Sequence, residues 1–513
     1  MSKSTIIKGT LILTIASLLS KVIGSVFRIP LQNIAGDEVL GIFSLVYPVY
    51  MVALYLSVAG IPLAISKLIA EALASNNHNS IQQIYRTASI LAIIFGIISF
   101  SLIYCFSGVI ANALGGKSTE LALTIVSLTL LVAPYMAIYR GYFQGFGNMQ
   151  PTGVSQVIEQ LFRVSLIILV AYILVGRGYE ENIVAGGIMI GSVIGAIASL
   201  VYLRIKYTNS DNRIRSKHAY SYQIFLNWSK KILQISIPIA IGAVMMALFN
   251  FVDSITIPYA LKMNDVDNIN YLYGIYGRGL ALVQITTVFA TSIVLPLVPA
   301  ITKKLTENDK IGTKNLIEKT QYITHLFGWP AAIGLFVITI PINIALFTDM
   351  EGSSMLAIIN ISSIFTSLTI VSTGILQGMD KTRTAAYVII FGVVVKTVAN
   401  IFFIQGYGLD GAAISTLLVY IVLFIVNYYF IYKTIAFNMV NSKMIKVIAS
   451  SVVMGAIIGV PSLLLDFENW SRLGTLLYCV TAIILAGFIY FIQLLLYKVI
   501  RKTDIPFLVK KEL

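Results

Sequence analysis

Charge is scarce in this chain. Only 11% of its 513 residues are Asp, Glu, Lys or Arg, against 58% that are hydrophobic, a balance that no water-soluble core can use. Histidine occurs three times, and His78, His218 and His325 are scattered with no metal-ligand spacing, so no metal site is expected. Cysteine occurs twice. Cys105 and Cys479 stand alone in apolar runs far apart, which leaves them as small core or lipid-facing residues. No nucleophile with an adjacent base stands out, and no soluble domain is there to house an ATPase, so neither catalytic residues nor an enzyme activity is expected.

What the chain has instead is length of apolar run. Stretches of roughly 20 residues, enough to cross about 30 Å of hydrocarbon, recur fourteen times: near 8–33, 40–65, 85–110, 120–143, 151–175, 183–205, 232–260, 271–300, 321–347, 353–377, 385–405, 409–433, 444–466 and 472–497. This predicts an all-α polytopic membrane protein. Pro30, Pro48, Pro238 and Pro296 interrupt the runs and read as kinks, because neighbouring helices can satisfy the freed backbone groups. The first run is too long for the core of a secretory signal and reads as a retained helix. An even number of crossings puts both termini on one side.

Loop charge supports that count. With the N-terminus in the cytoplasm, the cytoplasmic segments hold 27 of the 36 Lys and Arg, and the external loops hold four: Lys117, Arg177, Lys262 and Arg472. One miscounted span would invert every loop after it. The formal charge of +14 is then the ordinary consequence of basic loops beside an anionic inner leaflet, and no nucleic-acid partner is needed to explain it.

Transporters are often duplicated, and the halves of this chain correspond at a fixed offset. Gln144-Gly145 recurs as Gln377-Gly378, Gly41 as Gly274 and Arg163 as Lys396, each 233 residues on; Pro62 and Pro296 agree within one residue. The expected organisation is a parallel repeat of two six-helix lobes, residues 1–208 and 232–435. A basic cytoplasmic linker, 209–231, joins them, and 436–513 adds two helices and a basic tail. Two such lobes place a substrate site between them near the bilayer midplane.

Five cations lie inside the apolar runs, Lys21, Arg28, Arg163, Arg278 and Lys396, against two carboxylates, Glu159 and Asp253. A charge at that depth costs about 2.5–3.5 kcal/mol on insertion scales, so such residues face wet cavities and serve function. The positive excess points to an anionic substrate. Ser17, Lys21, Gly24 and Arg28 recur at spacings that share a helix face, with the two cations about 10 Å apart along the axis. That separation suits a diphosphate and a second anionic group, although Arg28 is also close enough to Asp37 to snorkel outward. Glu159 and Arg163, four residues apart, can pair on one face, with a gate or proton-linked switch as the alternative to simple neutralisation. Asp253 is a counter-ion or a site for a coupling Na⁺ or H⁺. Lys396 has only Asn400 as a polar neighbour on its own helix and joins Lys21 and Arg278 as a candidate substrate contact. One apparent motif is set aside: Ala111–Ser118, ANALGGKS, approximates a phosphate-binding loop but lacks its leading Gly and its strand-to-helix context.

The segments SKVIGSVFRIPLQNIAGDEVLGIF from Ser20, RGYFQGFGNMQPTGVSQVIEQLFRV from Arg140 and LYGIYGRGLALVQITTVFATSIVLPLVPAI from Leu272 carry a resemblance over essentially the whole chain. It is to the polysaccharide-biosynthesis branch of the multidrug/oligosaccharidyl-lipid/polysaccharide flippase superfamily, and within it to lipid II flippases of the MurJ type related to stage V sporulation protein B. The resemblance implies fourteen helices in two lobes, a bacterial cytoplasmic membrane, and export of the undecaprenyl-diphosphate-linked peptidoglycan precursor through a cationic cavity. By position it implies a substrate role for Lys21, which stands where many members have Arg, and for Arg278; Arg28 falls near a further charged position. Leu40 to Ile65 departs from the Gram-negative pattern in carrying no basic residue. No cofactor is expected, with drive from the membrane potential or coupling to H⁺ or Na⁺, and cell-wall synthesis proteins are candidate partners. The alternatives are a flippase for another polyprenyl-linked glycan, a drug exporter, whose cationic cargo the positive excess disfavours, and a membrane scaffold of a cell-wall complex.

Overall fold

A computed structural model describes residues 3–58, 60–210, 220–467 and 469–499. Part of the expected basic linker, including Arg213, Arg215 and Lys217, and the tail with Lys510 and Lys511 lie outside the described residues, as does His218. The helices are α1 (Lys3–Val26), α2 (Arg28–Val58), α3 (Ile61–Ala74), α4 (His78–Cys105), α5 (Ser107–Ala113), α6 (Glu120–Ser127), α7 (Thr129–Gly145), α8 (Gln150–Gly176), α9 (Glu181–Thr208), α10 (Tyr222–Met263), α11 (Ile269–Thr306), α12 (Lys310–Val337), α13 (Thr339–Phe347), α14 (Ser353–Gly378), α15 (Thr382–Thr434), α16 (Ser442–Leu464) and α17 (Arg472–Leu496). There is no strand among the described residues.

Ten of these stretches are long and apolar enough to cross a membrane, or eleven if the bent pair α12–α13 counts as one span. Two are too long for a single crossing. Ile12–Ala74, 63 residues, would reach about 95 Å as one straight helix and Thr382–Thr434, 53 residues, about 80 Å, against a core of about 30 Å. Each breaks at a glycine with positive φ, Gly36 (79°) and Gly408 (55°), where a residue with a Cβ would be strained. Beyond Gly408 the chain doubles back, so that a Cβ built on Gly411 would lie 2.2 Å from the Phe403 carbonyl oxygen. Divided at those glycines, and with the 42-residue α10, the helices are consistent with fourteen crossings.

Local chemistry sets the helix starts. Asn77, Ser221, Asp309, Asn441 and Ser471 each accept a hydrogen bond from a backbone N–H in the first turn of the helix that follows. Pro48, Pro238 and Pro296 sit inside helices, as expected of kinks. Pro30 does not. The first helix ends at Val26, and Pro30 occupies the first turn of α2, where its missing N–H costs nothing. This break also ends the shared face expected for Lys21 and Arg28: Lys21 is exposed on α1, while Arg28 opens α2 and is buried.

The chain divides into two compact units, Met1–Gly277 and Arg278–Leu513. In the first, α10 packs against α2, α3 and α4. Its apolar core runs from Ile61 and Ile65 through Ile84 and Ala88 to Tyr139 and Tyr142, with the Tyr85 and Tyr207 rings in contact with each other and with both Tyr139 and Tyr142 at 5.1–6.1 Å. In the second, α14 packs along α15, and Asn427 Nδ2 donates to Ser372 and Thr373 hydroxyls, both at 3.1 Å. Equivalent glycines make equivalent contacts inside each unit: a Cβ on Gly145 would lie 2.7 Å from Ile69 Cβ, and one on Gly378 would lie 3.0 Å from Ile301 Cβ. Outward surfaces suit lipid, with Ile93, Ile97 and Leu102 on α4, Leu169 and Tyr172 on α8, and Ile484 and Phe488 on α17 all exposed.

Candidate functional site

In the first unit a ladder of aromatic rings on α2 links two of the expected cations. Phe43 and Tyr47, four residues apart and therefore on one face, stack at 5.2 Å, and Tyr50 continues the row. Arg28 lies over the Phe43 ring at 5.8 Å and is 7% exposed. Its Nε has no hydrogen-bond partner among the described residues. At the other end of the ladder, Arg163 Nη1 donates to the Tyr47 hydroxyl at 3.4 Å.

Glu159 holds two arginines. Arg163 Nη2 donates to its Oε1 at 2.7 Å, the expected pair within one helix, and Arg140 Nη2 donates to its Oε2 at 2.8 Å. Arg140 also reaches Ser155 Oγ from Nε at 3.0 Å and Ser199 Oγ at 3.2 Å. The loop-charge pattern assigned Arg140 to the cytoplasmic side, yet it reaches inward from α7 to α8 and α9. The only hint in the sequence was its place inside the expected 120–143 span. Close packing of α9 supports this cluster, since a Cβ on Gly195 would lie 2.7 Å from the Glu159 carbonyl oxygen.

The remaining first-unit residues are placed separately. Ser17 Oγ donates to Gln156 Oε1 at 2.9 Å, fixing the polar face of α1 on α8 one turn before Lys21. Asp253 is 3% exposed and accepts a hydrogen bond from the Tyr276 hydroxyl at 3.0 Å. The phosphate-loop look-alike forms the turn after α5, where Ser118 Oγ accepts from Asn270 Nδ2 at 2.8 Å, which agrees with setting it aside.

In the second unit the expected cations are enclosed. Arg278 is fully buried, and its fork grips Asp349 through two bonds, Nη1 to Oδ1 at 2.7 Å and Nη2 to Oδ2 at 2.9 Å. Nη1 also donates to Asn343 Oδ1 at 3.1 Å, and the Phe347 ring lies 5.4 Å from the guanidinium carbon. Such a bidentate pair is a strong, oriented tie between α11 and the turn after α13. Lys396 is 1% exposed and donates to Thr416 Oγ1 across the two arms of α15. His325 accepts from Trp329 Nε1 at 2.8 Å, and no cluster of potential metal ligands occurs among the described residues.

Multi-pass helices that bury guanidiniums along a polar seam define a membrane transporter. Comparison with known proteins gives its family. The profile described as Polysaccharide biosynthesis protein matches residues 6–304, and the chain belongs to that family. It is similar to the uncharacterized membrane protein YabM of Bacillus subtilis, 28% identical over 457 residues, which cover 88% of this chain and 84% of that protein. It is also similar to the lipid II flippase MurJ of Bacillus subtilis, 26% identical with 90% of each chain covered. A solved structure of lipid II flippase MurJ in an inward closed conformation shares the fold, with a TM-score of 0.68 at 17% identity over 95% of this chain and 99% of that one.

Proposed function

We propose that this transporter flips a polyprenyl-diphosphate-linked glycan, the peptidoglycan precursor lipid II, from the inner to the outer leaflet of a bacterial cytoplasmic membrane, with both termini in the cytoplasm. The observation that carries the reading is Arg28, buried with an unpartnered Nε at the head of an aromatic ladder that leads to Arg163. A guanidinium kept dry with a donor unsatisfied is costly, and a phosphate oxygen relieves that cost with a charge-assisted bond. Glu159 holds Arg140 and Arg163, Arg28 lies over Phe43, and Asp253 is another buried carboxylate near the Arg28 end, so these three guanidiniums stand against two carboxylates and leave a positive excess of one for an anionic head. Similarity to MurJ over nine-tenths of both chains supports the choice of lipid II.

An interior-negative potential favours outward movement of each negative charge by about 2.3 kcal/mol per 100 mV, so the potential can drive the loaded step. Collapsing it in proteoliposomes while holding ion gradients constant is expected to slow flipping. The test of the substrate is depletion followed by analysis of the inner leaflet. Lipid II is expected to accumulate there; accumulation of a different polyprenyl-linked glycan would reassign the cargo, and no accumulation of any would remove the flippase reading.

A further inference from the structure

Two tyrosines on α11, three residues apart, stand in opposite situations. Tyr273 and Tyr276 are both fully buried, with ring centroids 5.5 Å apart. The Tyr276 hydroxyl donates to Asp253 Oδ2 at 3.0 Å. The Tyr273 hydroxyl has no hydrogen-bond partner among the described residues, although it too lies within electrostatic range of Asp253. A phenolic hydroxyl buried in this way carries its full desolvation cost, and buried tyrosines ordinarily find a partner.

Tyr273 is also a neighbour of Arg28. Here α11 is pressed against α2, since a Cβ on Gly41 would lie 1.8 Å from the carbonyl oxygen of Asn270, about one turn before Tyr273. Arg28 and Tyr273 lie within electrostatic range of each other. Arg28 Nε could donate to the Tyr273 oxygen, and that bond does not form, so each group keeps an unused donor. Carbon lies under the guanidinium: Arg28 sits over the Phe43 ring, and Phe27 packs edge-on against Phe43 at 5.4 Å. Two dry, unsatisfied donors from two helices call for a ligand with acceptor oxygens. A cation does not suit them, because arginine keeps its charge and Tyr276 already engages Asp253.

We propose that Tyr273 is a further substrate contact that selects diphosphate-linked over monophosphate-linked lipids: the Arg28 guanidinium takes one phosphoryl group and the Tyr273 hydroxyl donates to the adjacent one. This rests on the flippase reading. A sugar joined to a polyprenol through a diphosphate offers two ionised phosphoryl groups where a monophosphate link offers one, and the poorer ligand leaves a buried donor unpaired.

Tyr273→Phe removes the hydroxyl and keeps the ring. Native mass spectrometry of the intact protein measures its affinity for a polyprenyl diphosphate sugar and for the matching polyprenyl monophosphate sugar. The wild type is expected to prefer the diphosphate, and Tyr273→Phe to lose about tenfold or more of that preference. Because an unbonded hydroxyl is lost, the unfolding temperature of the ligand-free variant is expected to stay level or rise, whereas Tyr276→Phe, which breaks the bond to Asp253, is expected to lower it. An unchanged preference in Tyr273→Phe overturns the contact. So does a fall in its unfolding temperature matching that of Tyr276→Phe, which would mean that the hydroxyl is bonded in the fold through water. The contact and the flippase reading fail separately. A protein that prefers diphosphates through Tyr273 but moves no lipid-linked glycan in proteoliposomes sinks only the flippase reading, and one that flips lipid II while Tyr273→Phe keeps the full preference sinks only the contact.

Discussion

Arg28 and Arg278 look equivalent in the sequence, single arginines inside apolar runs, and the two units treat them in opposite ways. Arg278 is fully buried and bonded through Nη1 and Nη2 to Asp349 and Asn343 of its own unit. Arg28 is nearly as buried, yet it rests on a ring and keeps an unpartnered Nε. A buried guanidinium that is fully bonded at home works as a tie, and breaking the tie damages the fold. One left short of acceptors carries a standing desolvation cost that only a ligand or solvent can relieve. Depth in the membrane therefore says that a cation matters, and its partners say how.

The largest expected effect lies where one carboxylate serves two arginines. Glu159→Gln preserves shape but strands Arg140 and Arg163, and breaking a buried pair in this way costs about 3–5 kcal/mol. Unfolding of the detergent-solubilised protein measures it, and a loss below about 1 kcal/mol would mean that the cluster is hydrated. Next comes the tie in the second unit. Asp349 is 41% exposed, so Asp349→Asn is expected to cost less, about 1.5–3 kcal/mol, and to add little when Arg278→Ala is already present. In flipping assays Asp349→Asn should reproduce the loss caused by Arg278→Ala; a fully active Asp349→Asn beside an inactive Arg278→Ala would give Arg278 a role at the substrate. Thr416→Val removes a buried acceptor from Lys396 and is expected to cost about 1–2 kcal/mol, read from the same unfolding curves.

The smallest effect is at the surface. Hydrogen bonds from Lys304 Nζ and the Gly312 N–H hold the Asp309 carboxyl below its ordinary pKa. A depressed folded value means that the contribution is present above the unfolded pKa of about 3.9 and is lost as pH falls through the folded one. Amide exchange at Gly312 is expected to stay protected down to about pH 4 and to speed up below it. Protection that already fails near neutral pH would show that the cap is not formed.

Much of this was legible in the sequence, for reasons that are local. Run length gave the crossings, and the four-residue spacing of Glu159 and Arg163 gave their bridge, because helix geometry alone brings such residues together. Arg140 was hidden because its bonds to Glu159 and Ser199 depend on how α7, α8 and α9 pack. Asp349 was hidden behind 71 residues of chain separating it from Arg278. The shared face of Lys21 and Arg28 failed for a different reason. Helical spacing holds only while the helix continues, and α1 stops at Val26 before α2 starts at Arg28, with Pro30 in its first turn.

The most direct measurement compares binding of a polyprenyl-diphosphate lipid with that of the matching uncharged polyprenol, by native mass spectrometry of the intact protein and its Arg28→Ala and Arg28→Lys variants. The wild type is expected to prefer the diphosphate, Arg28→Lys to keep part of that preference, and Arg28→Ala to lose it at least tenfold while α1 and α2 remain folded. Unchanged discrimination in Arg28→Ala would contradict the account.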